Sequence, residues 1–108
     1  MESGWPKEIY SGAGIRDLIL AAFYNLQHST PTPFGRLLAE CFNLFPEKFR
    51  LEDYPEWPDA RKLARPLRML REENYILGGP EEGYTLAKKG KKRASEVINF
   101  LRQKQFKL

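Results

Sequence analysis

Residues 59–93 read DARKLARPLRMLREENYILGGPEEGYTLAKKGKKR, and their order decides the fold. Ala60, Leu63, Ala64, Leu67 and Leu70 recur at helical spacing and share one face. Asp59 offers an N-cap carboxylate, so a helix is expected to start after it and to end near Asn74. Pro66 lies inside this helix and lacks the backbone donor that an interior position uses. It predicts a kink, or distorted first turns. Tyr75-Ile76-Leu77 and Tyr84-Thr85-Leu86 predict two short strands. The Gly78-Gly79-Pro80-Glu81-Glu82-Gly83 segment between them predicts a tight hairpin with positive-φ positions. A last helix is expected from Ala87 or Lys88 to Lys104, with Ala94, Val97, Ile98 and Leu101 inward.

Working back from Asp59, Pro46 to Pro58 is too apolar for a free linker. The expectation is an irregular loop with one short turn, pinned to the core by Phe49 and Trp57. Before it, Thr32 offers a cap and Pro33 a first helical residue for a second helix over 33–44. Its apolar face is Phe34, Leu37, Leu38, Cys41 and Phe45, and Pro46 stops it. A first helix is expected over 15–27, with Ile15, Leu18, Ile19, Ala22, Phe23 and Leu26 on one face. Leu20, Ala21 and Tyr24 lie on its other side, so this helix is either central in the core or shared with another subunit. Residues 1–14 read as an N-terminal arm broken by Gly4, Pro6, Gly12 and Gly14, and residues 15–108 as one domain.

From Asp59 onward the chain resembles the winged helix-turn-helix superfamily of small prokaryotic transcriptional regulators. The residues that carry the likeness are the Leu63, Leu67, Leu70 spacing, the Glu73-Asn74-Tyr75-Ile76 exit and the Tyr84-Thr85-Leu86-Ala87-Lys88-Lys89-Gly90 run. The likeness covers about half the chain. It implies a mostly α fold: a three-helix core, a β-hairpin wing and a C-terminal helix. It also implies DNA binding, with the third helix in the major groove, and a role in transcription. Two features depart from the pattern. The connection between the second and third helices is a Pro-rich aromatic loop, and the hairpin tip is acidic at Glu81 and Glu82.

The residues themselves offer two cationic groups. Arg61, Arg65 and Arg68 at i, i+4 and i+7 project along one line of the third helix, with Lys62 placed to reach a backbone phosphate. Arginine makes bidentate contacts with guanine in the major groove. The alternative is a solvated face with local pairs such as Arg68 to Glu72. Lys88, Lys89, Lys91, Lys92 and Arg93 crowd the start of the last helix. Cations disfavour a helix N-terminus, so helix stability does not explain them, whereas phosphate contact does. Ordinary exposed, salt-screened lysines are the alternative. Leu20, Tyr24, Phe100, Phe106 and Leu108 exceed what one small core is expected to bury. They suggest a homodimer through the first and last helices. A second functional reading uses the acidic aromatic loop 46–58 (Tyr54, Glu56, Trp57) for protein contact.

Bulk properties bound these readings. With 108 residues the chain suffices for one core. Its net charge of +4 is divided: residues 1–60 hold 5 basic and 9 acidic side chains, and residues 61–108 hold 13 and 5. That asymmetry points either to a polyanion partner or to a merely soluble surface. No apolar run is long enough for a membrane span, and the N-terminus lacks the pattern of a secretion signal. Cys41 is the single cysteine, which excludes an intrachain disulfide and fits a reducing cytoplasm. His28 is the single histidine; with one Cys it cannot close a zinc site. The Gly12-Ala13-Gly14 and Gly78-Gly79 segments lack the context of a phosphate loop. Neither catalysis nor a cofactor is expected.

Overall fold

A computed structural model describes residues 4–26 and 31–106. In chain order the elements are α1 (Lys7–Tyr10), α2 (Ile15–Asn25), α3 (Phe34–Leu44), α4 (Pro46–Phe49), α5 (Arg61–Glu72), β1 (Ile76–Gly79), β2 (Gly83–Leu86) and α6 (Lys88–Phe106). The described chain is therefore mostly helical, with one two-stranded antiparallel hairpin. Its Cα radius of gyration, 13.2 Å, is that of a single compact body of this length.

The core forms around α2. Leu18, Ile19, Leu20, Ala21, Ala22 and Phe23 are all buried, so the helix packs on every side. The two options that the sequence left open resolve toward a central helix. Leu20 is accordingly corrected from a surplus apolar residue to a core residue, 1% exposed. α3 contributes Leu37, Cys41 and Leu44, α5 contributes Leu63, Leu67 and Leu70, and α6 contributes Ala94, Val97, Ile98 and Leu101. The apolar faces read from spacing in α5 and α6 are thus buried, apart from Ala60 and Ala64 at the start of α5.

Ile9 and Tyr10 of α1 are buried, and the Tyr10 ring meets Phe45 edge-on at 5.1 Å between centroids. Its hydroxyl accepts a hydrogen bond from the Glu47 amide at 3.1 Å. Burial pushes the Tyr10 hydroxyl pKa up, which keeps it neutral.

Thr32 does not cap α3. It is buried, and its backbone exchanges two hydrogen bonds of 2.8 Å with Tyr84 of β2. A one-residue bridge thus extends the hairpin to the order Thr32–β2–β1. Pro33 holds the N-cap position instead, and α3 begins at Phe34.

The hairpin is tighter than six residues. Ile76 pairs with Leu86, and the last pair is Gly79 with Gly83, which leaves Pro80-Glu81-Glu82 as the tip. Gly78 has φ +100°, a conformation that costs glycine little, and a Cβ there would strike the Gly83 carbonyl. The helix α5 continues from Arg61 to Glu72 with Pro66 inside it. Proline removes one intrahelical donor, and the tertiary packing of Leu63, Leu67 and Leu70 outweighs that loss.

At Gly90 the α6 backbone lies against the exit of α5: a Cβ would collide with the Tyr75 carbonyl oxygen. Two stability predictions follow from these contacts. Leu67→Ala lowers the unfolding free energy by about 2–5 kcal/mol in urea titration, as truncation of a buried leucine does. A cost below about 1 kcal/mol would mean that Leu67 is not a core residue. Gly90→Ala forces α6 off Tyr75 and costs about 3 kcal/mol or more by the same assay, the upper end of overpacking; a neutral result would show that this approach is not tight.

Candidate nucleic-acid interface

The start of α5 is set by Asp59. Its Oδ1 accepts a hydrogen bond from the Arg61 amide at 3.0 Å, and its own amide donates to the Phe49 carbonyl at 2.7 Å. Ala60 holds the N-cap position, and the Asp59 carboxylate one residue earlier satisfies the first helical amide, one of those that a helix start leaves without an intrahelical partner. Burial raises the Asp59 pKa, but the hydrogen bonds from Arg61 and the positive charges of Arg61 and Lys62 outweigh it. The carboxyl is held below its ordinary 3.8.

From that start, helical geometry turns Leu63, Leu67 and Leu70 inward and places Arg61, Arg65, Arg68 and Glu72 along the opposite side. All four of these are exposed. The Arg61 side chain is 88% exposed, with its Nε 3.4 Å from Asp59. Arg65 and Arg68 have no ion-pair partner among the described residues, so the anticipated Arg68–Glu72 pair is not formed. Arg68 and Arg71 border a groove with Phe34, Leu67, Pro80 and Tyr84, between α5 and the hairpin. Arg71 Nη1 donates to the Gly78 carbonyl at 3.3 Å, which ties the helix to β1.

Lys62 is placed differently. Its Nζ donates to the Arg50 carbonyl at 2.7 Å and to Glu52 at 3.2 Å, so it braces the preceding loop.

The lysine cluster divides. Lys88, Lys91 and Lys92 are exposed and have no partner among the described residues. Lys89 reaches back to the end of α5: its Nζ donates to the Glu73 carbonyl at 2.9 Å and lies 4.2 Å from the Tyr75 ring centre. Arg93 faces α2, where it grips Asp17 with two hydrogen bonds of 3.0 and 2.7 Å. The Asp17 hydrogen bond and charge raise the Arg93 pKa further. Arg16 pairs with Glu73 in the same region. Sequence spacing missed this bracing because each pair joins residues far apart in the chain. Its one local signal was an acidic residue, Asp17, in the first turn of α2.

The hairpin tip presents exposed Glu81 and Glu82. In the loop before α5, Phe49 is buried as expected, but Trp57 is 59% exposed and is not a core pin. Phe100 and Phe106 of α6 are exposed, at 56% and 91%. Of the first-helix residues expected at a dimer surface, Leu20 is buried and Tyr24 is half-buried. Leu108, His28 and the end expected for the first helix at Gln27 lie outside the described residues.

Cys41 is fully buried, and burial pushes its thiol far above the ordinary range, which keeps it protonated and unreactive. No cluster of three or more His, Cys, Asp or Glu side chains able to hold a metal ion occurs among the described residues. No described helix is long and apolar enough to cross a membrane.

No family model, curated protein or solved structure matches this chain.

Because the Asp59 pKa is lowered on folding, its stabilising contribution is present above pH 3.8 and is lost as pH falls through the depressed value. Asp59→Ala therefore melts below the wild type at pH 7, and the gap between their melting temperatures closes in increasingly acidic buffer. A gap that is the same at both ends of the titration would mean that the carboxylate charge does not set the start of α5.

Proposed function

We propose that this protein is a winged helix-turn-helix protein that binds double-stranded DNA and acts in transcriptional regulation. In this reading α2, α3 and α5 are the three-helix core, the β1–β2 hairpin is the wing, and the Thr32 bridge is the short first strand of the wing sheet. The order α2, bridge, α3, α5, hairpin supports the assignment, with the short helix α4 and the loop after it inserted between α3 and α5. α5 enters the major groove, which admits an α-helix.

The observation that carries the proposal is the exposed line of Arg65 and Arg68 on α5, directly before the hairpin and without an ion-pair partner among the described residues. Two guanidinium groups left to solvent on a braced helix are available for guanine edges or phosphates. Arg61 extends the line toward the loop. Lys88, Lys91 and Lys92 supply phosphate contacts, which position a duplex without reading it. Lys62, Lys89 and Arg93 serve first as braces: their bonds hold the helix start, the helix exit and α6 in place. The acidic tip does not suit a phosphate, so contact rests on α5 and the start of α6.

The test is binding of duplex DNA at two salt concentrations. Affinity falls steeply between about 50 and 200 mM salt, by orders of magnitude if six or more phosphates are neutralised. Arg65→Ala and Arg68→Ala each weaken binding by about 1–3 kcal/mol. Binding that is insensitive both to salt and to the two substitutions would reject the proposal.

A further inference from the structure

The segment between α4 and α5 is built to hold two aromatic rings in solvent. Arg50 bridges Pro58, the Leu51 amide donates to the Trp57 carbonyl at 2.8 Å, and Lys62 Nζ clamps the Arg50 carbonyl from α5. Phe49 anchors the near end in the core. The far end closes by a hydrogen bond of 2.9 Å from the Trp57 amide to the Tyr54 carbonyl. That is the i to i+3 bond of a β-turn, with Pro55 at the position where proline presets the backbone. Residues at the ends of such a turn have Cα atoms within about 7 Å, so Tyr54 and Trp57 stand side by side. They are 61% and 59% exposed.

A single exposed aromatic is common and means little, but a pair on a rigid turn is different. The hydrogen-bonded turn fixes the backbone that carries both rings, and Tyr and Trp dominate interface hot spots. The charge around them selects the occupant. Asp53 and Glu56 are exposed about the turn without an ion-pair partner among the described residues, Glu52 being held by Lys62, and no Lys or Arg occurs from Leu51 to Ala60. Nucleic-acid phosphate is repelled here. A guanidinium or ammonium group is drawn to the carboxylates and stacks on the ring faces.

We propose that the 51–57 turn is a docking site for a Lys/Arg-bearing segment of a partner protein, separate from the DNA-binding face of α5. Tyr54 and Trp57 hold the stem and head of a cationic side chain, and Asp53 and Glu56 pair with its neighbours. This assignment does not depend on DNA binding.

The experiment follows the indole N–H cross-peak of Trp57 in the wild-type protein, assigned with Trp57→Phe, during titration with a short Arg-Gly repeat peptide. The peak moves saturably with this probe and stays still with a Glu-Gly peptide of equal length. Replacing the two unpaired carboxylates together (Asp53→Asn, Glu56→Gln) weakens binding about ten-fold or more, and added salt weakens it in the wild type. Circular dichroism confirms that the double variant folds, and Tyr54→Ala provides an independent loss that leaves every charge in place. A Trp57 peak that ignores the cationic peptide overturns the proposal, and so does an equal response to the acidic one. A response to single-stranded oligo-dT in place of the peptide overturns it in favour of base stacking.

Discussion

The Tyr75 carbonyl is the point on which the cationic half of the molecule turns. It accepts the Ala87 amide at 3.0 Å, and the α6 backbone at Gly90 lies so close that no side chain fits between them. The Tyr75 amide returns to the Leu70 carbonyl at 2.9 Å, while Asn74, at φ 68°, turns the chain out of α5. One residue, Tyr75, therefore ties the end of the arginine-bearing helix to the start of the lysine-bearing one. The hairpin that joins them is held as a consequence, with Ile76 and Leu86 both buried beside the junction. Asparagine tolerates the left-handed turn better than most residues, and glycine alone permits the contact at position 90.

Charge on this half is divided between bracing and exposure. Lys89 satisfies a carbonyl left open at the end of α5, and Arg93 holds α6 to α2 through Asp17. Arg16 pairs with Glu73 in the same neighbourhood. Fixing cations at the C-terminal end of α5 agrees with the negative end of its dipole. Arg65, Arg68, Lys88, Lys91 and Lys92 remain turned to solvent. The helices that carry these cations are braced by Lys89, Arg93 and Arg16, so a polyanion would meet them without first ordering the helices. The loop before α5 carries the opposite sign and the opposite chemistry, aromatic and acidic, and lies at the other end of the helix.

Much of this was legible in the sequence because periodicity reports burial directly. The inward faces of α5 and α6 and the hairpin came from spacing alone. The Leu63, Leu67, Leu70 stripe is buried as read, and the strands are displaced by only a residue or two. Three features escaped for separate physical reasons. Thr32 was read as a cap, but its backbone joins the hairpin, a long-range pairing that carries no local signal. The short helix α1, which carries the buried Ile9 and Tyr10, escaped because the glycines and prolines around it break any helical pattern. Trp57 was read as a pin because large aromatics are usually buried, whereas the turn that holds it faces outward. In the candidate site, the exposed arginine line was visible in spacing. The inward use of Lys62, Lys89 and Arg93 was not, since their partners Arg50, Glu52, Glu73 and Asp17 are set by tertiary contact.

The most direct measurement is the map of backbone amide and arginine side-chain resonances that shift when a duplex is added to the isotopically labelled protein. The account predicts one contiguous set: Arg61, Arg65 and Arg68 on α5 with Lys88, Lys91 and Lys92 on α6, and no change over residues 51–57. A map centred on Tyr54 and Trp57, or shifts scattered without reference to α5, would contradict it.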